Sequence, residues 1–118
     1  MNREIHVYGN MDVEKIVAGI PSGHYHTRFA IFLRDQVIIL QEATVAALVR
    51  AYAYTSIHPT RRGIILTQKQ LESNEKKHGF AKYQLIEIPG SDDEAVRIID
   101  ELLGVGGVET GRPNQDGN

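Results

Sequence analysis

The stretch Arg28–Ser56, RFAIFLRDQVIILQEATVAALVRAYAYTS, decides the fold of this 118-residue chain. Its first part holds two apolar, β-favouring runs, Arg28–Leu33 and Val37–Leu40, joined by the polar residues Arg34–Gln36. Such a pattern predicts a β-hairpin. Both runs are apolar almost throughout instead of alternating with polar residues, which is typical of strands that are covered on both faces.

The second part of this stretch predicts a helix over about Glu42–Ser56 that carries almost no charge. After Glu42, Arg50 is its only charged residue, and alanine fills much of the remainder. A helix that is apolar all round is normally buried on more than one side. We therefore expect this helix either to lie centrally in the fold or to join two subunits in a homodimer.

Further elements are predicted on both sides of this stretch. On the N-terminal side we expect a strand over Glu4–Tyr8 and a helix over about Met11–Ile20, because the apolar residues of the latter recur at helical spacing. On the C-terminal side, the pattern predicts two strands and two helices. These are a strand over Gly63–Leu66, a polar helix opened by a capping box at Thr67–Gln70 and closed by Gly79, a strand over about Phe80–Ile88, and a helix opened by a capping box at Ser91–Glu94 and closed by Gly104.

The predicted order is β-α-β-β-α-β followed by α-β-α. The first six elements match the order of a ferredoxin-like unit, so we expect an α/β fold with one mixed sheet of about five strands and helices packed on it. The length suits a single domain, which we place at residues 1–104. Residues 105–118 are glycine-rich and polar, which predicts a flexible tail.

Composition narrows the class of protein. The chain is 42% hydrophobic and 24% charged, as soluble globular proteins are. It has no cysteine, which excludes disulfides, thiolate metal sites and cysteine nucleophiles. No stretch approaches the roughly 20 apolar residues of a membrane span, and no signal-peptide pattern opens the sequence. We expect a cytoplasmic protein with no membrane partner.

Charge is distributed unevenly along the chain. Residues 50–82 hold seven basic residues against two acidic ones, a net charge of +5. Residues 83–118 hold two basic residues against eight acidic ones, a net charge of −6. The overall charge of −2 can therefore conceal a basic binding face, although solvated surfaces of opposite sign explain the same numbers.

One segment concentrates the side chains that bind anions. Between the apolar helix and the next strand lies the segment 58–63, HPTRRG. Two guanidiniums can fork onto a phosphate or a carboxylate, a hydroxyl and an imidazole can add donors, and a glycine permits close backbone approach. The candidate ligand-binding residues of this segment are His58, Thr60, Arg61, Arg62 and Gly63. The alternative is structural, with the arginines paired to acids such as Asp92 or Glu94.

Three lysines extend this candidate site. Lys69, Lys76 and Lys77 lie on roughly one side of the predicted polar helix and could form an outer electrostatic rim for a phosphate backbone. A solvated helix face is the alternative. The rim forms only if the basic segment and the basic helix share a face of the fold.

Histidines supply a third hypothesis. His24 and His26 point the same way if their segment is extended, which suits a metal or a general base. A zinc site needs at least a third ligand, and no H-E-x-x-H motif is present. We therefore assign no metal, cofactor or catalytic residue, and we keep an enzyme that uses His24, His26 or His58 as its base as the last alternative.

Over residues 3–103, the chain resembles a family of short α/β proteins of methanogenic archaea, a domain of unknown function. The resemblance lies in the His58–Gly63 segment running into Gly63–Thr67 and then a polar helix. It implies an archaeal, cytoplasmic protein and transfers no residue role. From the residues themselves we expect a non-catalytic domain that binds an anion, either a nucleotide-like molecule or RNA, with a homodimeric interaction module through the helix at 42–56 as the alternative.

Overall fold

A computed structural model describes residues 3–72 and 82–104. The described chain forms five strands and two helices in the order β-β-β-α-β-β-α. These elements are β1 (Val13–Gly19), β2 (Arg28–Leu33), β3 (Val37–Gln41), α1 (Glu42–Ile57), β4 (Leu66–Gln70), β5 (Tyr83–Glu87) and α2 (Asp92–Leu103). The predicted α/β class is confirmed.

The first three strands form an antiparallel sheet in the order β1-β2-β3. The predicted hairpin of β2 and β3 is confirmed, and its turn is closed by a hydrogen bond from the Leu33 amide to the Gln36 carbonyl at 2.9 Å. Pairing places Val17, Ala30 and Ile39 in one row across the sheet. The register between β1 and β2 shifts between Val13 and Lys15, so β1 is bulged near its start.

Helix α1 follows β3 directly and packs on the β2 and β3 part of this sheet. It contacts β2, β3 and β5, and its start and length agree with the predicted helix. Burial alternates along β3, where Ile38 and Leu40 are half-buried while Val37 and Ile39 are exposed. We infer that α1 packs on the Ile38 and Leu40 face.

The last two strands form a separate antiparallel hairpin, which is attached to α1 and α2 by polar contacts. The Arg50 guanidinium donates to the Leu85 carbonyl at 2.8 Å, which ties α1 to β5. The buried Ser91 hydroxyl accepts a hydrogen bond from the Ile65 amide at 3.0 Å and donates to the Ile88 carbonyl at 2.6 Å. Ser91 therefore joins the residue before β4 and the residue after β5 to the start of α2.

The N-terminal prediction was wrong. The segment predicted as a helix over 11–20 is strand β1, and the segment 4–8 has no regular structure. Its apolar residues fit helical spacing, but they are β-branched, and β-branched side chains favour the pleated surface of a sheet. Pairing with β2 decides between the two patterns.

The region after α1 also differs from its prediction. Residues Leu66–Gln70 continue as strand β4 instead of opening a polar helix, because they pair with β5 along their whole length. The remainder of the predicted helix, 73–79, lies outside the described residues. The helix predicted over 11–20 is a strand, and the first residues of the predicted polar helix pair as β4. The described strands therefore form a three-stranded and a two-stranded antiparallel sheet, and the single mixed sheet with a ferredoxin-like order is not confirmed.

The last helix lies where the sequence predicted it, but it begins differently. Gly104 ends α2 in the left-handed conformation, with φ at 71°. The Ser91 hydroxyl makes no capping bond to the helix, because it is already bonded to the hairpin. The single domain over 1–104 stays a prediction, and the predicted tail, 105–118, lies outside the described residues.

The core of the described chain is small. Among the described residues, only three apolar side chains are buried: Leu33, Ala47 and Ala95. Large apolar side chains on β1, on β3 and on α1 are exposed instead. A monomeric domain normally covers more of its apolar surface than this.

Candidate functional site

The segment His58–Gly63 begins where α1 ends. His58 leaves helical geometry with φ at −103° and ψ at 112°, and Pro59 follows it. The Arg61 amide then donates to the His58 carbonyl at 3.0 Å, which closes a turn. This turn carries His58, Thr60, Arg61 and Arg62 at the surface, and all four are exposed.

Arg61 is held against the last turn of α1. Its guanidinium carbon lies 4.8 Å from the centre of the Tyr54 ring, within the range of a cation–π contact. The His58 ring meets the same tyrosine edge-on, with 6.3 Å between ring centres. The Tyr54 hydroxyl donates to the Asp92 carboxylate at 3.3 Å. We call Tyr54, His58, Arg61 and Asp92 the Tyr54 cluster.

The environment of Tyr54 disfavours its ionised form. Burial raises the pKa of the Tyr54 phenol, and the neighbouring Asp92 carboxylate raises that pKa further. The Arg61 guanidinium acts in the opposite direction, but the two raising effects prevail. Tyr54 therefore stays a neutral donor to Asp92 and a neutral ring under Arg61.

Arg62, the next residue after Arg61, lines a groove between α1 and α2. The groove has a volume of about 410 Å³, within the range of small-molecule sites. Arg62 and Asp100 supply charges of opposite sign, and the Tyr52 and Thr55 side chains add hydroxyls. The remaining lining is small or apolar: Ala51, Gly63, Ile64, Ala95, Val96 and Ile99.

Gly63 is buried, and α2 occupies the space beside it. A Cβ atom at this position would lie 2.7 Å from the Asp92 carbonyl oxygen and 2.8 Å from the Ala95 Cβ atom. Because Gly63 has no side chain, α2 packs directly against its backbone. The structure places Gly63 in the packing beneath the turn.

The three candidate lysines do not share one helix. Lys69 is exposed on β4, where it pairs with Gln84. Lys76 and Lys77 lie outside the described residues. The predicted outer rim therefore stays a prediction for all three lysines, and the structure places Lys69 on a strand instead of a polar helix.

The alternative prediction was that the two arginines form ion pairs with acids such as Asp92 or Glu94, and no such pair is seen among the described residues. Within residues 3–72 and 82–104, neither Arg61 nor Arg62 has a carboxylate oxygen within 4.0 Å. Asp92, one of the acids proposed as a partner, accepts from the Tyr54 hydroxyl instead. Both guanidiniums therefore keep hydrogen-bond donors that no described carboxylate takes.

Two of the three histidines of the enzyme hypothesis, His24 and His26, lie outside this turn, which carries the third, His58. The His26 Nδ1 atom is 2.9 Å from a Glu42 carboxylate oxygen, and the Thr27 amide donates to the other oxygen at 3.2 Å. The bond to His26, followed by the bond from Thr27, lowers the pKa of the Glu42 carboxyl. His24 lies exposed on a neighbouring turn, where its amide donates to the Pro21 carbonyl.

Sequence reasoning missed the Tyr54 cluster. Tyr54 lies in the last turn of α1, and Arg61 reaches its ring only because the chain turns back after His58, where the Arg61 amide bonds to the His58 carbonyl. Asp92 is 38 positions from Tyr54, and only the packing of α2 beside α1 brings it close.

No helix in the described part of the chain is both long and apolar enough to cross a bilayer. Comparison with protein-family models, with curated proteins and with solved structures finds no match to the sequence. The resemblance to an archaeal family therefore stays a prediction, and the function rests on the chemistry of the site.

Proposed function

We propose that this protein is a non-catalytic anion-binding domain, in which Arg61 and Arg62 hold the charged group of a nucleotide-like ligand or of RNA. The observation that carries the proposal is the position of Arg61, which is fixed on the Tyr54 ring and exposed to solvent without a described acid partner.

The contact with Tyr54 prepares Arg61 for binding. A guanidinium that lies over an aromatic ring gains about 0.5–1 kcal/mol at an exposed site. The ring takes one face of the guanidinium plane and leaves its N–H groups at the edge, where they can form paired hydrogen bonds with phosphate oxygens. An arginine that is already positioned loses less side-chain entropy on binding.

Arg62 extends the site toward the groove. Because it follows Arg61 directly and lines the groove, an anion between the two guanidiniums would sit at the groove's entrance. Tyr52 lines the groove and is 72% exposed, so its ring is available for stacking. Stacking of a base on an aromatic ring, with its phosphate on arginine, is a common mode of nucleotide and single-stranded RNA recognition.

The remaining candidates take secondary roles in this proposal. His58 and Thr60 lie on the same turn and can add donors to a bound phosphate. Lys69 adds positive charge from β4. We assign no catalytic role, because a general base needs a positioned partner and the described neighbour of the His58 ring is the edge of an aromatic ring.

An amide NMR titration tests the proposal. The full chain is titrated with nucleoside monophosphates and with a short mixed-sequence RNA, at about 50 mM and about 200 mM salt, because binding through phosphates weakens steeply over this range. We expect saturable shifts at residues 58–62 and around Tyr52, weaker at the higher salt concentration. Shifts confined to other parts of the chain, or none with any ligand, would contradict the proposal.

A second candidate function is a protein-interaction module built on α1. The outward side of this helix carries Leu48, Val49 and Tyr52, all exposed, and no charged residue among them. Monomeric proteins place charge on such a surface. If a homodimer forms through this side, Val49→Lys should dissociate it without unfolding the helix, and sedimentation of the wild type and of the variant would show the change.

A further inference from the structure

The first sheet leaves one face uncovered. Three rows of side chains point to this face, because residues paired across antiparallel strands share a face and every second row lies on the same side. We call this surface the open face, and its residues are Lys15, Phe32 and Val37 in one row, Val17, Ala30 and Ile39 in the next, and Gly19, Arg28 and Gln41 at its end. Val17 is 48% exposed, Val37 is 49% exposed and Ile39 is 64% exposed.

Such exposure conflicts with the composition of the strands. A three-stranded antiparallel sheet with one solvated face normally alternates apolar and polar residues. Here β2 and β3 are apolar on both faces, and α1 covers the Ile38 and Leu40 face alone. The sequence is that of strands enclosed on both sides, so something further covers the open face.

We propose that the open face packs against the open face of a second copy of this chain, so that two three-stranded sheets form a two-layer sandwich. This goes beyond anion binding and uses a surface other than the outward side of α1. Sheets that pack in this way lie about 10 Å apart, with interdigitating side chains.

The shape of the open face suits a second copy. Its central strand presents Ala30 in one row and Phe32 in the next row. A twofold axis can lie midway between the two sheets, parallel to their planes and perpendicular to the strands, so that it passes between these two rows. This axis places Phe32 of each copy over Ala30 of the other. Large side chains then meet small ones across the interface, which is the arrangement that fills a core without voids.

The area of the open face limits how tightly it can bind. Three strands about 4.8 Å apart, with five residues of about 3.3 Å each, give a footprint of roughly 250 Å². A standard interface buries about 800 Å² on each partner. We therefore expect a reversible dimer that forms as the concentration rises, and not a permanent one.

Charge on the open face is compatible with this packing. Its charged residues are Lys15, whose ammonium nitrogen lies 4.8 Å from the centre of the Phe32 ring, and Arg28 at its end, whose guanidinium donates to the His26 carbonyl at 3.1 Å. In the dimer, the lysine stem can cover Val17 of the other copy while the ammonium reaches solvent. The face carries no acid, so salt should not weaken the dimer, whereas it should weaken anion binding.

Two lysine substitutions with similar exposure test the proposal. Ile39→Lys places a charge on the open face, and Val49→Lys places one on the outward side of α1, where Val49 is 59% exposed. Sedimentation velocity of the full chain from about 5 to about 500 µM should show a dimer for the wild type and for Val49→Lys. Ile39→Lys should dimerise at least about tenfold more weakly. Circular dichroism confirms that each variant is folded.

Three results would overturn the proposal. They are a wild type that stays monomeric at the highest concentration, an Ile39→Lys variant that dimerises as the wild type does, and dissociation caused by Val49→Lys alone, which would place the interface on α1. Should Ile39→Lys fail to fold, a mixture of differently labelled wild-type chains gives an independent test. Intermolecular NOEs between the Phe32 ring and the Ala30 methyl group are expected, and their absence in a sample shown to be dimeric would refute the twofold arrangement.

Discussion

Replacement of Gly63 by alanine tests how the turn is joined to α2. The added methyl group would lie 2.7 Å from the Asp92 carbonyl oxygen and 2.8 Å from the Ala95 Cβ atom. Neither atom belongs to a flexible side chain end, so α2 and the 61–65 segment must separate by several tenths of an ångström. The Val96 side chain, at 3.2 Å, would also have to shift.

Overpacking of this kind costs about 1–3 kcal/mol. In a domain of this size, each kcal/mol lowers Tm by about 4 °C. We therefore expect Gly63→Ala to lower the melting temperature by roughly 4–12 °C, as measured by circular dichroism or calorimetry. The same separation should loosen the bond between Tyr54 and Asp92 and widen the groove at Arg62.

Gly19 provides a matched control. It is an exposed glycine in β1, with no atom within 4 Å of the position a Cβ would take. Gly19→Ala should leave Tm unchanged or raise it slightly, because alanine reduces the entropy of the unfolded chain. A Gly63→Ala variant as stable as the wild type, or an equal loss in both variants, would refute the packing described for Gly63.

Three further predictions follow from single side chains. Since the pKa of Tyr54 is raised in the fold, its neutral form contributes stability that is complete below the usual tyrosine pKa of about 10 and is lost as pH rises through the folded value. Tyr54→Phe should remove from an absorbance titration at alkaline pH a phenol that ionises above the usual tyrosine pKa, and loss of a phenol that ionises at or below that pKa would contradict the bond to Asp92. Since the pKa of Glu42 is lowered, its contribution is present above the usual glutamate pKa and is lost as pH falls through the folded value, so denaturation of Glu42→Gln should depend less on pH in acid than that of the wild type. Ser91→Ala leaves two backbone groups without their partner and should cost about 1–3 kcal/mol in denaturant unfolding, whereas Ser22→Ala, on an exposed turn, should cost almost nothing.

Local pattern was sufficient for the elements at the centre of the chain. Strands β2 and β3, helix α1 and helix α2 lie where the sequence predicted them, because each combines a long apolar pattern with clear boundary residues. Gly104 shows this most directly, since it takes the left-handed conformation expected after a helix.

Strands β1 and β4 could not be predicted from the local sequence pattern. The apolar residues of β1 satisfy both a helical spacing and a β propensity, and pairing with β2 selects the strand. β4 is mostly polar and resembles a helix start, but it pairs with β5, more than ten positions along the chain. In both cases the deciding interaction is distant in sequence, and a local pattern does not contain it.

The candidate site was also predictable only where local sequence determines it. Its residues at 58–62 were identified from their chemistry, and the exposed turn that carries them follows from the end of α1. The contact of Arg61 with the Tyr54 ring depends on the turn that follows α1, whose geometry the sequence pattern did not specify. The contact with Asp92, the groove beside Arg62 and the packing of Gly63 depend on where α2 lies, which the sequence did not specify.

The affinity of the double variant Arg61→Ala, Arg62→Ala for a nucleoside monophosphate and for RNA tests the proposed function most directly. Hydrogen bonds to a charged group contribute about 1.5–3 kcal/mol each, so loss of both guanidiniums should weaken binding by at least about a hundredfold in calorimetry at low salt. Arg34→Ala, on the exposed β2–β3 turn, serves as the control and should bind as the wild type does. Wild-type affinity in a folded double variant, or an equal loss in the Arg34 control, would contradict the assignment of the anion site to Arg61 and Arg62.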